Sequence, residues 1–186
     1  MYFRAGLSAA LALMIAIPAA AETATRKNYK TDWSIFMEEP PAVQQRMCWL
    51  ASAPQKVENT RNGSPVTVDR GEIAIFVLYI PGEFDDNGNP IEGQLSFSAG
   101  YPLAQGGTAE MQIGSARYVL GSHPEEATPD TLFADPFEEE KILNSMRKGA
   151  EAIITARSAR GTDTKDTFSL TGFTAAVEEI ERLCGA

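Results

Sequence analysis

The sequence predicts a mainly β protein, an antiparallel β-sandwich with one inserted helix and one C-terminal helix. Short runs rich in branched and aromatic residues recur at close spacing, most of them separated by turn signals, which favours antiparallel pairing because a parallel sheet needs more crossover helices. The run from Glu72 to Ile80 is almost wholly apolar, the pattern of a central strand buried on both faces. Only two stretches, one after Asp135 and one after Gly172, switch to a helical period.

Each element has its own local reason. Trp33, Ile35 and Met37 alternate with Ser34, Phe36 and Glu38 as a short strand, and Glu39-Pro40-Pro41 ends it. Met47 to Ser52 reads as a second strand, and Asn62-Gly63 is a turn leading into a strand from Pro65 to Asp69. After the central strand, Pro81 to Glu92 forms a wide hairpin whose tip is Asp85 to Pro90, and the chain returns through Gln94 to Phe97. Thr108 to Ile113 and Ala116 to Leu120 flank Gly114-Ser115 as a tight hairpin, with Met111, Ile113, Tyr118 and Leu120 facing apolar surroundings.

The first helix is expected to be capped by Asp135, with Pro136 at its first position, Glu138 at the third and Gly149 as its stop. Ile142, Leu143, Met146 and Ala150 would share its buried side. The segment from Ala156 to Cys184 then reads as strand, turn at Arg160 to Asp163, strand, and helix. The second helix carries Phe173, Val177, Ile180 and Cys184 on one stripe. Trp33, Trp49, Phe76 and Tyr79 are expected in the core.

At the N-terminus a basic residue, Arg4, precedes an apolar run from Ala5 to Ile17 and then Ala19-Ala20-Ala21, the layout of a secretory signal peptide. The domain organisation is therefore a signal peptide over residues 1–21, a flexible lead-in over 22–31 and a single domain over 32–186. No transmembrane segment is expected after cleavage, because no later run reaches the ~18 apolar residues a membrane helix needs. Export places the product in the periplasm, with secretion or outer-membrane association as further destinations. The net charge of −9, or −10 once Arg4 leaves, repels phosphate, so nucleic acid is excluded as a partner and an anionic membrane is a poor docking surface.

Two cysteines, Cys48 and Cys184, stand in a chain routed to an oxidising compartment, and a structural disulfide between them is expected. The alternatives are a free reactive thiol or a redox pair, for which no C-x-x-C spacing is present.

The candidate chemical sites each meet a plainer reading. His123, the only histidine, sits in a loop with no Gly-x-Ser-x-Gly elbow to partner it. One histidine and two bridged cysteines leave too few soft ligands for zinc. Asp85, Asn87 and Asn89 alternate like calcium-loop ligands, but Pro90 occupies the glycine position and Ser96 the place of the bidentate glutamate. Glu125, Glu126 and Glu138 to Glu140 read as solvated acidic surface rather than a paired-carboxylate site. No catalytic, cofactor or metal residue is assigned. Arg157, Arg160 and Lys165, with Arg147 and Lys148 nearby in sequence, form a candidate binding surface for an acidic partner. The plainer reading is a set of exposed ion pairs with Asp163, Asp166 and nearby glutamates.

Several segments resemble the invasion-associated locus B family of exported alphaproteobacterial proteins. They are Asp32-Trp33, Cys48-Trp49, Arg70-Gly71-Glu72-Ile73, Tyr79-Ile80-Pro81-Gly82, Ser96-Phe97 and Gly100-Tyr101-Pro102, then Arg157 to Thr162, Asp166 to Leu170 and Gly172 to Ala176. The resemblance implies an immunoglobulin-like sandwich, no enzymatic activity and no catalytic set; Cys48 and Cys184 match its cysteine positions. The expected function is a non-enzymatic exported protein acting by protein–protein interaction on an envelope or surface protein. Host-cell invasion is not transferred. The alternatives are a small periplasmic hydrolase of unrecognised type and a carrier of a small apolar ligand.

Overall fold

The computed structural model describes residues 25–28, 32–38, 46–79, 93–104, 106–122 and 129–184. Period-two alternation of apolar and polar residues makes most of these strands. In chain order they are β1 (Thr25–Asn28), β2 (Ser34–Glu38), β3 (Met47–Ser52), β4 (Lys56–Arg61), β5 (Ser64–Pro65) and β6 (Ala74–Tyr79). β7 (Gln94–Ser98), β8 (Thr108–Ile113), β9 (Ala116–Gly121) and β10 (Thr131–Ala134) lead to helix α1 (Glu139–Lys148). β11 (Glu151–Arg157), β12 (Asp163–Ser169) and helix α2 (Phe173–Cys184) complete the described chain.

All pairings are antiparallel, and the hydrogen-bonded order is β1-β2-β3-β6-β7-β10-β9-β8-β11-β12-β4-β5. The sandwich is thus one continuous sheet folded on itself. Phe97 of β7 meets Phe168 of β12 edge-on across the core, with ring centroids 6.2 Å apart. At another point of the same interface the Trp33 indole donates to the Ser169 carbonyl at 3.2 Å. Ile75, Val77 and Tyr79 of β6 point into this core, as do Leu95 and Phe97 of β7 and Met111, Ile113, Tyr118 and Leu120 of the β8–β9 hairpin.

The helices close the core. The α2 stripe of Phe173, Val177, Ile180 and Cys184 is buried, and Phe173 packs 4.8 Å from Trp33. Cys184 is bonded to Cys48 of β3 with their Cα atoms 6.5 Å apart, so the expected disulfide is present. α1 buries Ile142, Leu143 and Met146, and the Tyr118 and Ser145 hydroxyls lie 2.6 Å apart. Gly149 ends α1 with an extended backbone; a Cβ there would meet Ile113 at 2.6 Å and Leu170 at 2.9 Å, so close packing is what requires glycine.

Several expectations need correction. Thr25–Asn28, within the stretch expected as a flexible lead-in, pairs with β2. Strand pairing is a backbone interaction and needs no apolar pattern. For the same reason polar β4, KVENTR, was not foreseen, and neither was four-residue β10. Of the strand expected from Pro65 to Asp69, only Ser64–Pro65 pairs. Asp135 does not cap α1. Its carboxylate accepts from the Phe137 amide in a turn, and the helix begins after Glu138. Ala150 lies beyond the helix and is exposed. Trp33 and Tyr79 are buried as expected, whereas Trp49 and Phe76 are half-buried because their strands place them on the outer face. The proposed signal peptide over 1–21, the Asp85 to Pro90 tip, Glu125, Glu126 and His123 lie outside the described residues.

Candidate functional site

The strand period of β12 turns Thr164, Asp166 and Phe168 inward together. Asp166 is therefore a core carboxylate and not the surface acid expected from its charged neighbours. Its partner is Arg70, on the connection between β5 and β6; the two side chains are 0% and 4% exposed. Arg70 donates from Nη1 to Asp166 Oδ1 at 2.7 Å and from Nη2 to Oδ2 at 2.6 Å. Its Nε and Nη2 also donate to the Ala99 carbonyl, at 3.0 and 2.7 Å, and Nη1 reaches Asn59 at 3.4 Å.

A guanidinium carries five N–H donors, so Arg70 is fully used. It joins β12, β4 and the end of β7 as an internal brace. Burial pushes the Asp166 carboxyl up from its ordinary value, while the Arg70 hydrogen bonds and charge oppose that shift.

The same guanidinium lies over the Tyr101 ring, 4.9 Å from its centroid. The Tyr101 and Thr164 hydroxyls are 2.7 Å apart, and burial raises the phenol above its ordinary pKa. Gly100, at φ +69°, brings this segment against the backbone of Gly71: the Gly71 amide donates to the Gly100 carbonyl at 2.8 Å. A Cβ on Gly100 would stand 2.8 Å from the Gly71 carbonyl oxygen.

Arg70, Gly100 to Pro102 and Ser158 to Thr162 belong to segments far apart in sequence that carry the family resemblance, and they meet around one cleft of about 480 Å³. Its lining adds Arg61, Val68 and Asp69. The β11–β12 turn is held by the Ser158 amide donating to Thr162 O and the Thr162 amide donating to Ser158 Oγ. The Ala159 amide ties the turn to the Pro102 carbonyl at 2.9 Å. Arg61 Nη2 donates to Thr162 Oγ1 at 2.7 Å and is otherwise exposed. Arg160 is exposed, with no ion pair among the described residues.

The structure divides the three surface bases named from sequence. Arg160 lines the cleft, whereas Arg157 and Lys165 lie on the outer sheet face, as the register Thr155↔Lys165 and Arg157↔Asp163 requires. There Arg157 pairs with Asp163 at 2.6 Å and Lys165 approaches Glu58 at 3.8 Å, and both line an outer-face groove of about 500 Å³. Arg147 pairs with Glu181 of α2 at 3.9 Å and stands apart from both groups.

Arg61 was not named from sequence, Arg70 and Tyr101 entered only through the family resemblance, and Asp166 was read as a partner in exposed ion pairs. The available signal was a carboxylate at an inward position of β12, between Thr164 and Phe168, which demands a buried partner. Phe97 is fully buried against Phe168, and the cleft beside Tyr101 is lined by arginines and hydroxyls together with Val68, Pro102 and Ala159.

No curated protein matches this chain. Among solved structures, the crystal structure of invasion associated protein B from Bartonella henselae matches with a TM-score of 0.53 at 13% identity, covering 87% of this chain and 99% of that one. At that identity the likeness concerns the fold. Residues 92–181, from the approach to β7 into α2, match the family model described as invasion associated locus B (IalB) protein, the family that the sequence resembles.

Proposed function

We propose that this protein is a non-enzymatic, exported binding module of the cell envelope that engages another envelope or surface protein through the cleft and the turn bearing Arg160. The observation that supports this most is the convergence of Arg70, Gly100 to Pro102 and Ser158 to Thr162 on one preformed cleft, braced from behind by a saturated buried ion pair. Its hydroxyls and guanidiniums are recognition groups, and those of Ser158, Thr162 and Arg70 are already committed to hydrogen bonds that hold its shape.

The disulfide supports an oxidising compartment. Among the described residues no helix is long and apolar enough to cross a membrane. The invasion role named for the Bartonella protein forms no part of this reading.

The test is photo-crosslinking in living cells, with the crosslinker at Arg160 and, as a remote control, at Val119 on the outer face of β9. A partner captured from Arg160 and not from Val119 is expected. Equal capture at both sites, or none at Arg160, would overturn the reading. Turnover of an ester, peptide or glycoside by the purified protein would overturn its non-enzymatic part.

A further inference from the structure

We propose that the cleft is a carboxylate-binding site for an acidic side chain on an extended segment of a partner protein. This inference rests on the binding reading above and adds the ligand chemistry. Arg70 contributes no free donor, since all five of its N–H groups are used. The donors left for a ligand belong to Arg61, which spends one on the neutral Thr162 hydroxyl, and to Arg160, which spends none on any described residue.

Neither rim arginine has a carboxylate partner among the described residues. On the neighbouring outer face Lys56, Arg117, Arg157 and Lys165 each have one. The lining carries a single carboxylate, Asp69, which makes no ion pair with either arginine. With Arg70 and Asp166 neutralising each other, the cleft holds two positive charges against one negative, on a chain of net charge −9.

That excess suits one carboxylate, which a guanidinium grips bidentately. A polyanionic surface is disfavoured, because the whole acidic molecule repels it while only this cleft attracts it. Val68, Tyr101, Pro102 and Ala159 line the same cleft and offer apolar contact to the aliphatic part of a glutamate and its neighbours. The volume of about 480 Å³ lies in the range of ligand-sized sites.

The test titrates the isotope-labelled protein by NMR with a short acetylated, amidated peptide alternating alanine and glutamate, with its glutamine counterpart, and with inorganic phosphate. Shifts from the glutamate peptide should map to Arg61, Tyr101 and Ser158 to Thr162. They should weaken with salt and be absent with the glutamine peptide. R61A and R160A should each weaken binding about two- to fivefold, and the double variant about tenfold. R117A, on the outer face of β9, should change it less than about twofold. R160A is the cleaner variant, since Arg160 holds no described contact.

The carboxylate assignment is overturned by no binding, by equal binding of the glutamine peptide, by unchanged affinity in R160A and R61A, or by phosphate displacing the peptide at equal concentration. Crosslinking from Arg160 without peptide binding would remove the ligand chemistry and leave the binding reading. Peptide binding with no partner captured would do the reverse.

Discussion

Replacing Asp166 by alanine should be among the most damaging single changes available in this chain. The variant strands the Arg70 guanidinium in a site where it is 4% exposed, removes its hydrogen bonds of 2.7 and 2.6 Å to the carboxylate, and leaves a charge that cannot be discharged by losing a proton. Breaking a buried pair this way costs about 3–5 kcal/mol, a large share of the ~5–15 kcal/mol that holds a domain folded. At a urea slope of about 2 kcal/mol per molar, a loss near 4 kcal/mol lowers the unfolding midpoint by about 2 M.

R70A should cost less at low pH, because Asp166 can take up a proton and arginine cannot give one up. Burial already raises the Asp166 carboxyl, and removal of the guanidinium raises it further. The folded R70A variant then holds a proton that the unfolded chain releases near pH 4. Its stability is fully present below that value and falls as pH rises through the raised folded value. R70A should therefore approach the wild type at pH 5 and fall away at pH 8. An apolar replacement of both partners, R70M/D166L, should lie within about 1 kcal/mol of the wild type, since it leaves neither charge unpaired. Urea denaturation of the three variants at both pH values decides the matter. Single-variant losses below about 1 kcal/mol, or losses that simply add in the double variant, would refute the brace.

Three further outcomes are expected. C48S/C184S removes a cross-link between residues 136 apart, for which chain entropy assigns roughly 5 kcal/mol; a reducing agent should lower the wild-type denaturation midpoint to match the double variant. Glu139, the first residue of α1, accepts from the Leu95 amide of β7 at 2.9 Å, and burial chiefly raises its pKa from 4.5 to about 7. The folded state therefore binds the extra proton between those values, and stability falls as pH rises through that window. E139Q keeps the acceptor without the charge, so it should gain about 1–2 kcal/mol above pH 7 after allowance for partial solvent access, and nothing below pH 4.5, by chemical denaturation at both ends. G100A forces a side chain into φ +69° with its Cβ 2.8 Å from Gly71 O, and should cost about 1–3 kcal/mol together with a change in the near-ultraviolet signal of Tyr101.

Some of these features were legible in the linear chain and some were not. β3, β8 and β9 were readable because their alternation is local, and α2 because Phe173, Val177, Ile180 and Cys184 recur at helical spacing. β1 and β4 were not, since polar strands are held by backbone ladders and a neighbour's edge, which composition does not encode. At the candidate site Arg160 was named from sequence, but it was grouped with Arg157 and Lys165, from which the outer-face register separates it. Asp166 looked like one more surface acid beside Lys165, because charge density along a chain does not say which face a strand turns inward.

The sequence by itself determined the mainly β class, the two helices, the expectation that its two cysteines pair and the family resemblance, because strand and helix periods, cysteine number and short motifs are local or countable properties. Only the tertiary structure decided that one sheet folds on itself and that Arg70 meets Asp166 across 96 residues. It also decided that the resulting brace holds Gly100 to Pro102 and the β11–β12 turn around a cleft. The physical reason is that a buried charge is tolerable only where a partner arrives with matching geometry, and which distant segment supplies that partner is settled by packing of the whole core.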